Sequence, residues 1–256
     1  MAVVGKLGKL DPKFPAEIQL IEHYLRRRKT LPKAPESVDN TRGRTDFGML
    51  GNGPDPSCDV APQGVRDCGC AGFVHLEEVD AAVLAVKETW PSADLVVQQY
   101  LAYTGGQDSG VVLADFLDFV QQHSFCGMTV AGYAPCRHDD LDEVKSVIDL
   151  FDAAYVGVQL PRVALDQFES EQPWDLTGTE ADDDIAGGHA IVAAAFDPET
   201  MSFITWGKVQ TATTRWVHRY IDEAWAVLTD EFAAAKPKTI DYPALLADLA
   251  KMRNAA

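Results

Sequence analysis

The spacing of apolar residues predicts a buried helix in the first third of the chain. A polar, Gly-rich approach over residues 63–67 changes at Cys68 into an apolar run with helical spacing that continues to Trp90. We therefore predict a mostly buried helix over residues 69–90, with Cys68 in its first turn and Asp67 as its cap. Similar patterns predict further helices over residues 15–29, 92–103, 111–124, 216–222 and 240–252, and another that begins at Asp140.

Strand-like runs are concentrated in the second half of the chain. His189 opens one such run, and a turn signal at residues 197–200 separates it from a returning strand, Met201–Trp206, which predicts a β-hairpin. Further strands are predicted over residues 128–134, 154–160 and 224–228. Residues 162–186 are polar and acidic and are predicted to form a mobile flap. The fold class indicated by these elements is α+β, with a helical half packed on an antiparallel sheet.

Composition and charge exclude several classes of ligand. The 256 residues carry a net charge of −17, but residues 1–44 hold ten Lys/Arg and five Asp/Glu. The acidic remainder argues against nucleic acid as a ligand, because phosphates would be repelled.

No apolar run is long enough for a membrane span, and a secretory signal is not evident, so we expect a cytoplasmic protein. We predict a basic N-terminal arm with a helix over residues 1–46, able to dock on the acidic body or on a protein partner, and a main domain over residues 47–256.

Five cysteines without a secretory signal indicate free thiols in a reducing compartment. An alternative reading groups Cys58, Cys68 and Cys70 with His75 as a zinc set. Their spacing lacks the paired C-x2-C knuckle of structural zinc sites, so this reading is the weaker one. We expect no metal and no cofactor.

Cys68 and His189 form a candidate catalytic pair. Unpaired N–H groups at a helix start favour the thiolate, which is the reactive form of cysteine. A distant histidine that opens a hairpin could take the thiol proton, as nucleophilic acyl transfer requires. The alternative is that Cys68 is a small buried hydrophobe. His75 lies about two helical turns from Cys68, roughly 10 Å, and is too far to be the base. His218 is a weaker candidate on a predicted helix.

These stretches together resemble papain-like cysteine peptidases. Residues 67–71 (Asp-Cys-Gly-Cys-Ala) resemble the nucleophile motif of the bacteriocin-processing branch, and residues 188–192 resemble the strand that bears the family histidine. Trp206-Gly207 resembles the end of the family's Asn-Ser-Trp-Gly strand. The likeness covers residues 47–232 and looks closest to uncharacterised papain-like proteins of bacteriophages and actinobacteria. A virion-associated location would follow if the protein is phage-encoded.

The resemblance implies a role for each of four residues. Cys68 would be the nucleophile, His189 the base, and Gln63 the oxyanion-hole glutamine. Two departures weaken the match. Ile204 stands where alignment on the tryptophan places the family's orienting Asn, which leaves the Thr205 hydroxyl as a weak orienting group. Gln63 is also one residue closer to the cysteine than is usual in the family.

The function expected from the resemblance is a thiol hydrolase that cleaves a peptide or isopeptide bond in a peptide or protein substrate. The alternative is a peptidase fold kept as a binding or virion structural protein with little or no catalysis. Residues 30–66 lack a periodic pattern. Within them we expect residues 49–52 to pack near the Cys68 loop and residues 53–62, which look like an insertion, to form one wall of a cleft.

Overall fold

The computed structural model describes residues 4–27, 30–86 and 89–255. A group of helices packs on one large antiparallel sheet, which confirms the predicted α+β class. The helices are α1 Cys68–Leu84, α2 Ala93–Tyr103, α3 Leu113–Gln122, α4 Leu141–Phe151, α5 Arg162–Glu169, α6 Thr214–Tyr220, α7 Asp230–Ala235 and α8 Tyr242–Ala255. The strands are β1 Val38–Asp39, β2 Asp46–Gly48, β3 Val130–Pro135, β4 Ala154–Pro161, β5 Ile185–Phe196, β6 Thr200–Thr205, β7 Gly207–Thr213 and β8 Ile221–Thr229.

The sheet has eight strands in the order β2-β7-β6-β5-β4-β8-β3, and β1 pairs with the end of β5. Strand β5 lies in the middle of the sheet, between β4 and β6. All of its residues from Ala190 to Phe196 are buried. A strand covered on both faces is expected to be continuously apolar, as this one is. The predicted hairpin of β5 and β6 is confirmed, although β5 begins at Ile185, so that His189 lies within the strand.

Helix α1 lies against the sheet and is buried on all sides over residues 68–81. Two glycines allow close packing of this helix: a Cβ at Gly69 would lie 2.3 Å from Val111, just before α3, and one at Gly72 would lie 3.1 Å from the Tyr155 ring of β4. The Tyr155 hydroxyl donates to the Gly69 carbonyl at 2.5 Å, which ties the start of α1 to β4. None of the described helices, α1 included, has the length and apolarity needed to cross a membrane.

The helix starts follow the sequence signals in two cases and depart from them in one. The Ser92 hydroxyl accepts from the Leu95 N–H at the start of α2, and Asp140 accepts two N–H groups at the start of α4. Asp67 occupies the N-cap position of α1, but its side chain makes no capping hydrogen bond, so the predicted cap is wrong. Helix α1 also ends at Leu84 and not at residue 90, and Lys87 and Glu88 lie outside the described residues.

The predicted amphipathic helix over residues 15–29 is wrong. Only Ile21–Tyr24 forms a short 3-10 helix, while Arg28 and Lys29 lie outside the described residues. Leu25 is extended and pairs with Ile240, and the Arg26 N–H donates to the Thr239 carbonyl at 3.1 Å. The backbone here pairs with a distant segment, so the helical spacing of the apolar side chains reflects burial on the domain and not a helix.

The segment over residues 162–186 is anchored, contrary to the predicted mobile flap. It begins with α5, and Trp174 is fully buried, donates from Nε1 to the Ala164 carbonyl at 2.9 Å and stacks on Trp216. Asp182 accepts hydrogen bonds from the backbone of Thr177 and Gly178. The prediction followed the acidic composition of this segment and did not recognise that Trp174 would be buried. Strand β7 was not predicted either.

We expect the replacement of Phe73 by alanine to destabilise the protein strongly. Phe73 is fully buried on α1 and meets the rings of Phe116 and Phe125 edge-on. Loss of a buried aromatic ring leaves a cavity and costs about 3–5 kcal/mol. Phe14→Ala removes the same atoms from a ring that is 48% exposed and is expected to cost about 1 kcal/mol or less. Urea denaturation measures both values, and equal losses would contradict this packing.

Candidate active site

Cys68 is the first residue of α1, and its side chain is buried. Burial raises the pKa of its thiol to about 11; the N–H groups of Ala190 and Gly8, which face the sulfur, oppose this shift, and Asp67 adds to it. The expected lowering of the pKa by the helix start is therefore wrong for this state. Desolvation of the thiolate outweighs the partial charges of the helix terminus.

His189 is held on β5 by contacts on two sides. Its Nε2 lies 2.7 Å from the Thr205 hydroxyl on β6, and its ring stacks on Trp206 with ring centroids 4.6 Å apart. The other ring nitrogen, Nδ1, is buried and has no hydrogen-bond partner among the described residues. Burial lowers the pKa of His189 to about 3, so the imidazole is neutral at physiological pH.

The position of the Trp206 ring depends on a strained turn. Thr205 pairs with Lys208, so the hairpin of β6 and β7 turns at Trp206 and Gly207, the second of which is also the first residue of β7. Both have positive φ, 46° and 73°, as a two-residue hairpin turn of this kind requires. Glycine adopts this conformation freely, but for a tryptophan it is unfavourable by about 1–3 kcal/mol. The turn aims the indole ring across β6 onto His189.

The structure brings Cys68 and His189 to the same region of the molecule. The Cys68 sulfur faces the N–H of Ala190, the residue that follows His189 on β5. Gly72, one turn further along α1, packs against the Ala190 backbone, with its hypothetical Cβ 3.8 Å from the carbonyl oxygen. The structure contains no hydrogen bond between the thiol and the imidazole, since Nδ1 is unpaired and Nε2 contacts Thr205.

Gln63 is not part of this arrangement. It lies in a turn, its side chain is exposed, and it makes no side-chain hydrogen bond within the described part of the chain. The buried amide at this position belongs to Asn52, whose side chain is 3% exposed. Its Nδ2 donates to the Lys6 carbonyl at 3.0 Å and to the Val65 carbonyl at 3.4 Å. Residues 49–52 were expected to pack near the Cys68 loop, but the amide itself was missed.

The insertion explains why Asn52 was missed. Residues 53–62 form a loop whose two ends lie close together. The Asp55 N–H donates to the Pro62 carbonyl, and the Val65 N–H donates to the Gly51 carbonyl. Asn52 is thereby adjacent in space to the loop before Cys68, although it is distant in sequence. The spacing to Cys68 along the sequence instead indicated Gln63 as the oxyanion-hole residue.

Asp67 is a buried acid beside the thiol. Both of its carboxyl oxygens are enclosed and make no hydrogen bond to a described residue. Burial raises its pKa well above the usual range, and the Asn52 side chain opposes that shift. Desolvation therefore disfavours the charged form of this carboxyl.

Residues 4–10 cross the cleft between the helical half and the sheet, and we call them the cover segment. Four backbone hydrogen bonds hold it: Lys6 N–H to the Asn52 carbonyl, Lys9 N–H to the Gly188 carbonyl, Leu10 N–H to the Val111 carbonyl, and Val111 N–H to the Gly8 carbonyl, at 2.8–3.1 Å. The fit is tight. A Cβ at Gly8 would lie 1.8 Å from the Arg66 carbonyl oxygen. The cover segment thus shields the Cys68 thiol from solvent.

Other candidate groups lie elsewhere. His75 is buried next to Glu78, with Nδ1 3.3 Å from the carboxylate. His218 lies on α6 and is exposed. Within the described ranges no three His, Cys, Asp or Glu side chains are placed to hold a metal ion. Cys58, Cys68, Cys70 and His75 therefore do not form a zinc set.

Comparisons by sequence give no relatives. No protein-family model matches the chain, and no curated protein matches it.

Comparison with solved structures shows the fold to be papain-like. Xylellain, a cysteine protease from Xylella fastidiosa, has a TM-score of 0.62 at 10% identity, with 90% of this chain and 98% of that chain covered. Procathepsin L 3 from the larval midgut of Tenebrio molitor has a TM-score of 0.53 at 10% identity, covering 84% and 75%. Procathepsin B S9 from Trypanosoma congolense has a TM-score of 0.53 at 11% identity, covering 89% and 87%. At such low identity these similarities define the fold alone.

We expect the covered Cys68 thiol to react slowly with alkylating agents, at a rate that rises with pH. Its pKa of about 11 lies above the usual 9.0, so near pH 8 its thiolate fraction is roughly a hundredfold below that of a free thiol. The rate of iodoacetamide labelling at Cys68, read by peptide mass mapping, should rise about tenfold per pH unit up to the pKa. Fast labelling that is flat between pH 6 and 8 would indicate a thiolate and contradict this state.

Proposed function

We propose that this protein is a thiol hydrolase that cleaves a peptide or isopeptide bond through Cys68 and His189. The observation that carries the proposal is that the Cys68 sulfur faces the residue after His189, in a cleft already filled by an extended stretch of peptide. A site that accommodates the cover segment can accommodate another peptide of the same width. The papain-like fold and the cysteine proteases that share it support this class of reaction.

The proposed mechanism assigns one role to each ring nitrogen of His189. Donation from Nε2–H to the Thr205 hydroxyl orients the ring and leaves a lone pair on Nδ1. Nδ1 takes the thiol proton as the sulfur attacks the substrate carbonyl carbon. The imidazolium then returns this proton to the leaving amine as the C–N bond breaks. Water hydrolyses the thioester with the same base, which restores the thiol.

Asn52 is the proposed side-chain donor to the oxyanion, in place of Gln63. Its Nδ2 donates to a carbonyl oxygen of the cover segment, that of Lys6, so the amide is already directed at a peptide carbonyl in the cleft. The backbone N–H of Cys68, at the open start of α1, is the second donor. Donors fixed before the reaction stabilise the tetrahedral intermediate without reorganisation.

A substrate has to displace the cover segment, and this displacement prepares the pair for reaction. In the covered state burial holds the thiol and the imidazole neutral. Water that enters with a substrate reduces the desolvation of both charged forms, which lowers the pKa of the thiol and raises that of the imidazole. Both shifts favour the thiolate–imidazolium pair. The covered structure is therefore the latent form of the proposed enzyme.

A second candidate function is peptide binding without catalysis. It is favoured by the weak orienting group, because a hydroxyl at Thr205 replaces the amide expected in a papain-like site. In that case the cleft would hold a peptide or a protein partner through the same contacts as the cover segment. Docking of the basic N-terminal arm on another protein stays a prediction.

Hydrolysis of a fluorogenic peptide library by the Gly8→Val variant tests the function. A valine side chain at this position has no room beside Arg66, so the cover segment has to leave the cleft. In this background we expect Cys68→Ala and His189→Ala each to lower the rate roughly a thousandfold or more. Thr205→Val should lower it further than Thr205→Ser, which keeps the hydroxyl. If no peptide is cleaved and His189→Ala leaves Cys68 alkylation unchanged, peptide binding becomes the function.

Matched variants separate Asn52 from Gln63 as the oxyanion donor. In the Gly8→Val background, Asn52→Ala should lower kcat by roughly 10²–10³-fold, because loss of one oxyanion donor has that cost. Gln63→Ala removes an exposed amide and should leave kcat within about twofold. Thermal unfolding of both variants controls for the structural bond of Asn52 to Val65. The reverse order of effects would return the role to Gln63.

A further inference from the structure

The side chain of Lys9, in the cover segment, occupies a buried acidic pocket of the sheet. It is completely enclosed, with Nζ 2.8 Å from Asp222 Oδ2 and 3.2 Å from Glu223 Oε1. Gln159 donates to the same Asp222 oxygen at 2.7 Å, and Trp225 donates to the second Glu223 oxygen at 2.8 Å. Both carboxylates are therefore held in place by groups other than the lysine. We call this the acidic pocket.

The shape of the acidic pocket suits a long, unbranched basic side chain. A Cβ at Gly157 of β4 would lie 2.1 Å from Lys9 Cε, so a glycine is needed for the lysine stem to pass. Asp222 Oδ1 is buried and has no hydrogen-bond partner among the described residues. An arginine guanidinium has five N–H donors and could reach this oxygen as well.

The charges favour a cation in the acidic pocket. The Glu223 side chain is fully buried and that of Asp222 is 20% exposed. Without Lys9, two neighbouring carboxylates would face each other in a site of low dielectric, which is strongly unfavourable. Burial raises the pKa of Glu223 and Lys9 opposes that shift. A peptide that replaced the cover segment would therefore bind best with a positive charge of its own, since otherwise a carboxylate would have to take up a proton or be hydrated.

The acidic pocket is also in register with the proposed catalytic thiol. The Gly8 carbonyl accepts from the Val111 N–H, and Val111 packs against Gly69, the residue after Cys68. The N–H of the next residue, Lys9, donates to the Gly188 carbonyl just before His189. The side chain that enters the pocket therefore belongs to a residue adjacent to the one at the thiol.

We propose that the acidic pocket formed by Asp222 and Glu223 selects peptides with lysine or arginine next to the reacting bond, and that Lys9 blocks it from within the chain. The proposal rests on the proposed function in one respect, because a reacting bond exists only if the protein is a hydrolase. The binding preference itself needs no catalysis, so the two can fail separately.

Release of the cover segment is measured first, by iodoacetamide labelling of Cys68 in the full chain. Lys9→Glu places a third carboxylate beside Asp222 and Glu223, and Gly8→Val removes the space for the backbone. Each should raise the labelling rate at least tenfold while far-UV circular dichroism stays unchanged. Lys13→Glu is the matched control, because it makes the same charge change at a side chain that is 56% exposed. If neither variant raises the rate, the cover segment is a fixed structural element and the proposal is overturned.

Selectivity is then measured by fluorescence anisotropy with a labelled peptide of residues 4–12. The protein is Cys68→Ser with Gly8→Val, or with Lys9→Glu if the valine variant does not fold. The peptide with lysine or arginine at position 9 should bind at least tenfold more tightly than one with norleucine, and glutamate should abolish binding. The double substitution Asp222→Asn with Glu223→Gln should remove the preference. Asp183→Asn, at a side chain that is 78% exposed, should keep it.

A fluorogenic peptide library scanned position by position completes the test with the cysteine restored. Cleavage that favours lysine or arginine at one position, and loses this preference with Asp222→Asn and Glu223→Gln, supports the whole proposal. Cleavage without basic preference overturns the acidic pocket as a selectivity site and leaves the hydrolase intact. Basic-selective binding without any cleavage supports the pocket and removes the hydrolase. Equal binding of the lysine and norleucine peptides overturns the proposal whatever the catalytic result.

Discussion

The close packing of α1 on β4 and β5 is the contact on which the candidate site depends. Gly69 and Gly72 have no side chains between the helix and the sheet, and the Tyr155 hydroxyl fixes the Gly69 carbonyl. The first turn of α1 is thereby placed beside the N–H that follows His189. A side chain at Gly69 would overlap Val111, just before α3, and one at Gly72 would press on the Tyr155 ring of β4, so either would displace the first turns of α1 and with them the thiol. The site is in this sense a consequence of core packing.

Desolvation then decides the chemical state of the two groups. The helix start and the nearby N–H groups favour a thiolate, yet burial under the cover segment has the greater effect on the Cys68 pKa. The same burial lowers the pKa of His189. Both shifts run against the ion pair that catalysis needs, and both arise from the same enclosure. A segment of seven residues can therefore silence the proposed reaction without changing the position of either group.

The sequence was sufficient for elements whose side-chain periodicity and burial agree. Helices α2 and α4 begin at Ser92 and Asp140, where the sequence pattern placed their starts, and the hairpin of β5 and β6 follows its turn residues. It failed where long-range pairing determines the backbone. Leu25 is extended because it pairs with Ile240, more than two hundred positions away, and such pairing leaves no mark in a local pattern. Trp174 similarly anchors an acidic segment through contacts that only the fold creates.

The same distinction holds within the candidate site. Cys68, His189 and Thr205 were named from local motifs, and the structure places Thr205 against the His189 ring. Asn52 was not recognised, because an insertion separates it in sequence from the cysteine that it neighbours in space. The uneven distribution of charge was evident from the sequence, but the ion pairs that it forms were not. The opposite net charges of residues 1–44 and of the remainder give a general attraction, screened within about 8–10 Å at physiological salt. The enclosed contact of Lys9 with Asp222 and Glu223 adds to the four backbone hydrogen bonds that position the cover segment across the cleft.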